Sequence, residues 1–231
     1  MNALSVVPSN YQTILFDLDG TLTDPKSGIT RSVQYALAKM GIIEPDLEAL
    51  VPFIGPPLTE SLKLFYHMTD EQAELGVTYY REYFADRGIF DNAVFPGIPT
   101  LLQALKDEGK LLLVATSKPT PFAEQILTHF DLDQYFTHVV GSNMDGTRVD
   151  KTEVIAHALS LISDDTDEPI VMIGDRKHDI IGAHGNLIDS IAILHGYGPL
   201  EELQAANPTH IVTDVEALSN LLLAPGKVAL S

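Results

Sequence analysis

Ile14-Leu15-Phe16-Asp17-Leu18-Asp19-Gly20-Thr21 is an apolar run that ends abruptly in two carboxylates, a glycine and a hydroxyl. Its apolar part, preceded by Thr13, reads as a buried strand from Thr13 to Phe16. Asp17 and Asp19 alternate with Leu18 on extended backbone, so their side chains leave the same face where the strand gives way to a loop. Two carboxylates that close repel, which predicts either one raised pKa or a cation between them. Burial at a strand end without compensation is costly, and this argues against a purely structural role for the pair.

Working outward, short apolar runs recur at Leu111 to Ala115, His138 to Val140, Ile170 to Ile173, Ser190 to Leu194 and His210 to Val212. Each reads as a buried strand. Segments with helical spacing lie between or beside them: Ile98 to Glu108, Pro121 to Phe130, Thr152 to Ile162, His178 to Asn186, Pro199 to Ala206 and Val215 to Leu223. Strand and helix alternate from residue 98 onward, the pattern of an α/β fold with a parallel sheet, helices on both faces and ligands at the carboxyl ends of the strands.

The alternation breaks after the first strand. From Ser27 to Tyr83 there are only helical stretches, Ile29 to Met40, Asp46 to Leu50, Leu58 to Tyr66 and Asp70 to Phe84, the last opened by a capping box of Thr69 and Gln72. The expected organisation is a core of residues 1–24 and 90–231 interrupted by a small α-helical cap, residues 25–89, placed above the strand ends. The last residues, Ala224 to Ser231, read as a frayed tail.

Composition narrows the class. The chain has 231 residues, 45% hydrophobic and 20% charged, as expected of a folded protein rather than a disordered one. Its net charge of −18 argues against nucleic acid polymers and anionic membranes as partners. The absence of cysteine excludes disulfides and thiol catalysis and fits a reducing compartment. Without a leader-like N-terminus or an apolar run long enough to span a membrane, the expected location is the cytoplasm. An anionic substrate would need local positive charge, from a metal ion and a few lysines.

Asp17-Leu18-Asp19-Gly20-Thr21 resembles the first motif of the haloacid dehalogenase-like hydrolases, and further motifs of that superfamily occur in order. Thr116 ends the second core strand, Lys151 opens a helix after the third, and Gly174-Asp175-Arg176-Lys177-His178-Asp179 follows the fourth. The resemblance implies a Rossmann-like α/β core and a set of roles. Asp17 would be the nucleophile and Asp19 the general acid and base. Thr116 and Lys151 would hold the phosphoryl oxygens, with backbone N–H groups of Leu18, Asp19 and Ser117 completing the cradle. Hard oxygen donors imply Mg2+ held by Asp17, the Asp19 carbonyl and Asp175, with Asp179 beside them or bound through water.

Other candidates carry less motif support. Lys118 could meet a substrate anion, and Arg148 is similar. His178 and His195 lack zinc-site spacing and read as polar surface or loop residues. Gly196 and Gly198 read as a turn. Phe53-Ile54-Gly55-Pro56-Pro57-Leu58 reads as a rigid turn before a helix and as the cap's specificity loop, Gly55 permitting close approach to substrate.

The helical insertion resembles that of the phosphoglycolate phosphatase and β-phosphoglucomutase branch. The expected function is thus Mg2+-dependent hydrolysis of a small phosphorylated metabolite through an aspartyl phosphate, with phosphoglycolate as the first substrate expectation. A 5'-nucleotidase or another metabolite phosphatase of the branch is the alternative. A phosphomutase fits less well because the turn at 53–58 offers no basic residue. A non-catalytic phosphate-binding protein would be expected to lack one of the carboxylates or the lysine. The motifs leave oligomeric state open.

Overall fold

The computed structural model describes residues 11–162 and 168–223. The expected tail, 224–231, lies outside the described residues. Six parallel strands, β1 (Thr13–Phe16), β4 (Leu111–Pro119), β5 (His138–Ser142), β6 (Ile170–Gly174), β7 (Asp189–Ile193) and β8 (His210–Val212), form one sheet. Their order across it is β5-β4-β1-β6-β7-β8. The first strand is central, Phe16 aligning with Val114 of β4 and with Ile173 of β6. This register brings the chain segments that follow β1, β4 and β6 to one end of the sheet.

Both faces are covered, which is why the strands read as continuous apolar runs. On one face Ile14, Phe16, Val114 and Ile173 join a cluster with Leu101 and Leu105 of α4 (Ile98–Asp107), Ile126 of α5 (Thr120–His129) and Leu218 of α9 (Val215–Leu222). On the other, Leu15, Leu113 and Met172 pack with Val154 and Ile155 of α6 (Lys151–Leu159) and Ala183 of α7 (Lys177–Gly185). A smaller cluster seats Leu203 of α8 (Leu200–Ala205) on Ile180 and Ala192.

A two-stranded antiparallel ribbon, β2 (Thr23–Asp24) with β3 (Ala93–Val94), brings the two ends of the intervening segment together. Between them the chain is helical: α1 (Lys26–Lys39), α2 (Leu58–Tyr66) and α3 (Asp70–Tyr83), with both α1 and α2 packed on α3. The expected capping box starts α3, Thr69 Oγ1 accepting from Gln72 N at 3.3 Å and Gln72 Oε1 from Thr69 N at 3.0 Å. One π-helical turn, Phe84–Gly88, ends the segment. No described helix is long and apolar enough to cross a membrane.

Several boundaries differ from the sequence reading, most by one to three residues, and three of them are instructive. The second core strand does not stop at Thr116 but runs to Pro119, with a register shift between Ala115 and Pro119. The polar run Thr-Ser-Lys concealed this, because side chains at a bulge are re-aimed without leaving the sheet. The segment expected as a helix at Asp46 to Leu50 is a 3-10 turn, Glu48–Phe53, containing Pro52, whose missing N–H prevents an α-helix from continuing. The helix expected to reach Ile162 ends at Leu159.

Leu15 is fully buried in the central strand, whereas Leu187 is 95% exposed. In urea titrations Leu15→Ala is expected to cost about 2–5 kcal/mol. Leu187→Ala should stay within about 0.5 kcal/mol.

Candidate active site

After Phe16 the Asp17 N–H still pairs with the sheet, donating to Ile173 O at 2.9 Å. The chain then winds tightly, Leu22 N and Thr23 N both donating to Leu18 O at 2.9 and 3.0 Å. Asp17 and Asp19 are thereby held at the sheet's carboxyl end, both buried. Gly20 has φ +84°, and a Cβ there would lie 2.3 Å from Asp175 Oδ2. Only a glycine leaves room for that carboxylate.

Asp175 follows β6, and Asp179 sits in the first turn of α7, where its Oδ2 accepts from Arg176 N at 3.1 Å. Both are fully buried. Lys151 is the first residue of α6, whose N-cap Asp150 accepts from Thr152 N at 2.8 Å. Its ammonium reaches Asp17 Oδ1 at 3.0 Å, Asp179 Oδ1 at 2.8 Å and Ala115 O at 3.1 Å. The ammonium is thus a buried counter-charge shared between two carboxylates. Burial alone would lower the Lys151 pKa, but Asp17 and Asp179 hold it above the ordinary lysine range.

The carboxylates are strained electrostatically. Burial, then repulsion from Asp179 and Asp17, pushes Asp175 up to about 8 against the opposing Tyr197 N–H, which donates to its Oδ2 at 2.7 Å. Asp179 is also raised, by burial first, with Lys151 opposing. Burial likewise raises Asp19 against the attraction of Lys118, whose ammonium is 2.6 Å from Asp19 Oδ2. The other Asp19 oxygen is buried without a hydrogen-bond partner.

One ligand atom each from Asp17, Asp175 and Asp179 lies within 4.8 Å of the others. Among the described residues, this all-oxygen set is the one cluster suited to a metal ion. The all-oxygen donor set and the carboxyl pKa values raised by burial and mutual repulsion fit a hard divalent cation. No histidine belongs to the set. His195 Nε2 hydrogen bonds with Thr21 O at 3.0 Å and its ring packs on Phe95 with centroids 4.1 Å apart, while His178 is half-buried.

The other candidates are placed as follows. Thr116 Oγ1 accepts from Lys118 N at 3.3 Å, and Ser117 Oγ donates to Val149 O at 3.2 Å. The Leu18 N–H donates to Asp17 Oδ1 at 2.7 Å. The Arg148 guanidinium donates to Gly141 O at 3.0 Å. The turn holding Gly196 and Gly198 packs directly on Asp175, since a Cβ at Gly196 would lie 2.4 Å from its Oδ2.

A cavity of about 600 Å³ opens in front of Asp17 and Asp19. Its floor includes Thr116, Ser117 and Lys118, and its roof is Gly55 to Glu60 with Val77, Tyr80, Arg81 and Phe84. Lys118 Nζ lies 4.4 Å from the centre of the Phe84 ring, which stacks on Tyr80 at 5.3 Å. The sequence reading missed the contributions of Tyr80, Phe84 and Arg81, because on a helix they have the spacing of ordinary packing residues. It also missed Arg176 and Tyr197, whose partners are remote in sequence.

Residues 14–193 match the family model of the haloacid dehalogenase-like hydrolases, more than half of the chain. A 5'-nucleotidase of Pseudomonas aeruginosa is 49% identical over 92% of this chain and 96% of its own length. A tyrosine-protein kinase PtkA of Mycobacterium tuberculosis is 38% identical over 93% of this chain and 72% of its own. Among solved structures, one titled a predicted phosphatase from Clostridium acetobutylicum matches with TM-score 0.90 and 46% identity, covering 94% of this chain and 100% of the other. The chain therefore belongs to the haloacid dehalogenase-like hydrolase family. Within it, the chain is a phosphoric monoester hydrolase.

Removing Lys151 should leave Asp17 and Asp179 buried without their counter-charge. In metal-free buffer Lys151→Met is expected to lose about 3–5 kcal/mol in a urea titration. Unpaired buried carboxyls bind protons more readily folded than unfolded, so the deficit should shrink as the pH falls.

Proposed function

We propose that this chain is a Mg2+-dependent phosphatase of nucleoside monophosphates that works through an aspartyl phosphate on Asp17. The observation that carries the reading is that Asp17 lines the cavity with one oxygen fixed by Leu18 N–H and Lys151, which leaves the other to attack phosphorus. Attack forms the Asp17–phosphorus bond as the ester oxygen departs, taking a proton from Asp19. Asp19 then removes a proton from water, which attacks phosphorus and frees Asp17 and inorganic phosphate. Asp17, Asp175 and Asp179, with the Asp19 carbonyl, would hold Mg2+, which offsets the repulsion between carboxylate and phosphate. Lys151 and Thr116 steady the transferring oxygens, and Lys118 offers a charge that phosphate and Asp19 share.

Two features favour a nucleotide over phosphoglycolate. The cavity, about 600 Å³, falls within the roughly 300–1,000 Å³ typical of sites that enclose drug-sized ligands, and Phe53, Tyr80, Phe84 and Phe122 line it. Such walls suit a sugar and a flat base. Its charged lining away from the phosphate end is mostly acidic, with Glu60, Glu74 and Asp145 beside Arg81, whose Nη1 already donates to Met144 O at 2.9 Å. A second anion, whether the carboxylate of phosphoglycolate or a further phosphate, meets those carboxylates. The similarity to the Pseudomonas aeruginosa 5'-nucleotidase supports the same choice.

Phosphate release from a panel of esters tests the substrate. Nucleoside monophosphates should exceed phosphoglycolate and nucleoside diphosphates in kcat/KM by at least about tenfold, corresponding to about 1.4 kcal/mol of discrimination. Phosphoglycolate heading the ranking would overturn the nucleotide assignment.

The two first-motif aspartates separate by leaving group. Asp17→Asn should form no phosphoenzyme with any ester. Asp19→Asn should lose about 10² to 10⁴ in turnover on alkyl esters and less on an aryl ester, whose phenolate needs little protonation. Acid-quenched mass spectrometry locates the phosphate, and finding it on Asp19 would refute the mechanism.

A further inference from the structure

The cap turn is fastened to the core from behind, on the side away from the cavity. Arg176 Nη1 donates to Ile54 O at 2.6 Å, across 122 residues of chain. Its Nε and Nη2 donate to Glu202 Oε1 and Oε2 at 2.9 and 3.3 Å, a two-point fork that fixes the guanidinium plane. Glu202 is itself tethered, Oε1 accepting from Lys177 N at 3.1 Å. The pair is largely shielded, with side chains 12% and 19% exposed, so solvent weakens it less than an ordinary surface ion pair.

The turn is shaped to this arginine. Gly55 has φ +104°, and a Cβ there would lie 2.8 Å from Arg176 Cγ. The glycine that sequence reading set aside for substrate approach thus also makes room for the arginine stem. Gly55, Pro56, Pro57 and Leu58 line the cavity, whereas Arg176 is not among its lining residues. At its other end Arg176 is anchored through its N–H to Asp179 and adjoins Asp175. One residue therefore joins the carboxylate cluster to the roof of the substrate cavity.

We propose that Arg176, oriented by Glu202, is a positioning residue that sets the height of the turn over the cavity and so decides how well the part of the substrate beyond the phosphate is held. The specificity half of this inference rests on the phosphatase reading above; the mechanical half does not. The fork is needed, because lysine is a point charge that cannot hold Glu202 at two points and reach Ile54 O in the same plane. The pair acts through the turn, so its loss should appear in the binding of large substrates before it appears in the chemistry of small ones.

The test compares Glu202→Gln and Arg176→Lys with the wild type and with Glu202→Asp, which retains the charge. Backbone hydrogen exchange across residues 53–60 is measured without substrate, and kcat and KM with AMP and with a small aryl phosphate. In both disruptive variants exchange over 53–60 should quicken at least about tenfold. The KM for AMP should rise about 5- to 50-fold, while values for the aryl phosphate move less than about threefold; Glu202→Asp should recover part of the loss.

Unchanged exchange in both variants would overturn the clamp whatever the activity. Quickened exchange with equal losses on both substrates would overturn its part in specificity. A wild type that hydrolyses neither ester would refute the phosphatase reading and with it the specificity half, while the exchange comparison would still decide the clamp. A fall in melting temperature with uniformly faster exchange throughout the core would identify general destabilisation and also count against the proposal.

Discussion

Four carboxylates crowded at the ends of β1 and β6 are the constraint on which the site depends. Asp17, Asp19, Asp175 and Asp179 are buried together with two lysines, Lys118 and Lys151, so full ionisation leaves the group with a net negative charge. Two like charges about 4 Å apart repel by about 4 kcal/mol at the effective dielectric of protein sites. Several such pairs rival the roughly 5–15 kcal/mol by which a typical domain is stable. The doubly covered sheet supplies the rigidity that holds the groups there. The contacts of Lys151 and the Tyr197 N–H on Asp175 offset part of the repulsion, while burial first, and then Asp179 and Asp17, still hold the Asp175 pKa up.

The surroundings divide by chemistry. At the sheet end lie fixed charges and hydroxyls, which suit a phosphoryl group whatever it is attached to. Opposite them stand aromatic rings, prolines and a few carboxylates of the helical segment. An apolar cluster runs without a break from the sheet into that segment, taking in Phe16, Leu22, Val33, Leu37 and Phe84. Directional polar links cross the same junction: Arg176 to Ile54 O and Arg81 to Met144 O near the cavity, and Ser27 Oγ and Gly28 N to Asp91 at the base of the segment. Apolar contacts tolerate sliding, whereas hydrogen bonds specify a position, so these links define where the roof sits.

Much of this was legible in the sequence because it is local. The strand from Thr13 to Phe16 is four apolar-facing residues followed by a carboxylate, and the helix opened by Lys151 has its cap at the preceding residue. The capping box of α3 spans Thr69 to Gln72. What escaped reading depends on partners far along the chain. Arg176 stands inside a motif whose acidic residues claimed attention, yet its contacts are with residues 54 and 202. Tyr197 lies between two glycines that read as a simple turn. The β2–β3 ribbon has two residues per strand, too few to show a period, and the bulge after Ala115 leaves no trace in a polar run.

The proposed chemistry asks two opposed things of Asp19: it must hold a proton when the ester oxygen leaves and lack one when water attacks. Its surroundings oppose each other in the same way. Burial favours the protonated form, and Lys118 at 2.6 Å favours the ionised one. Neither influence is fixed by the core alone, because Lys118 also lies over Phe84, at the end of the helical segment. Moving Phe84 would expose the lysine to water and weaken its hold on Asp19. A phosphate arriving beside Lys118 would draw the ammonium in the same sense, leaving burial to retain the proton on Asp19. In the proposed mechanism the lysine would link arrival of the anion, seating of the roof and protonation of the acid, through its contacts with Asp19 and Phe84.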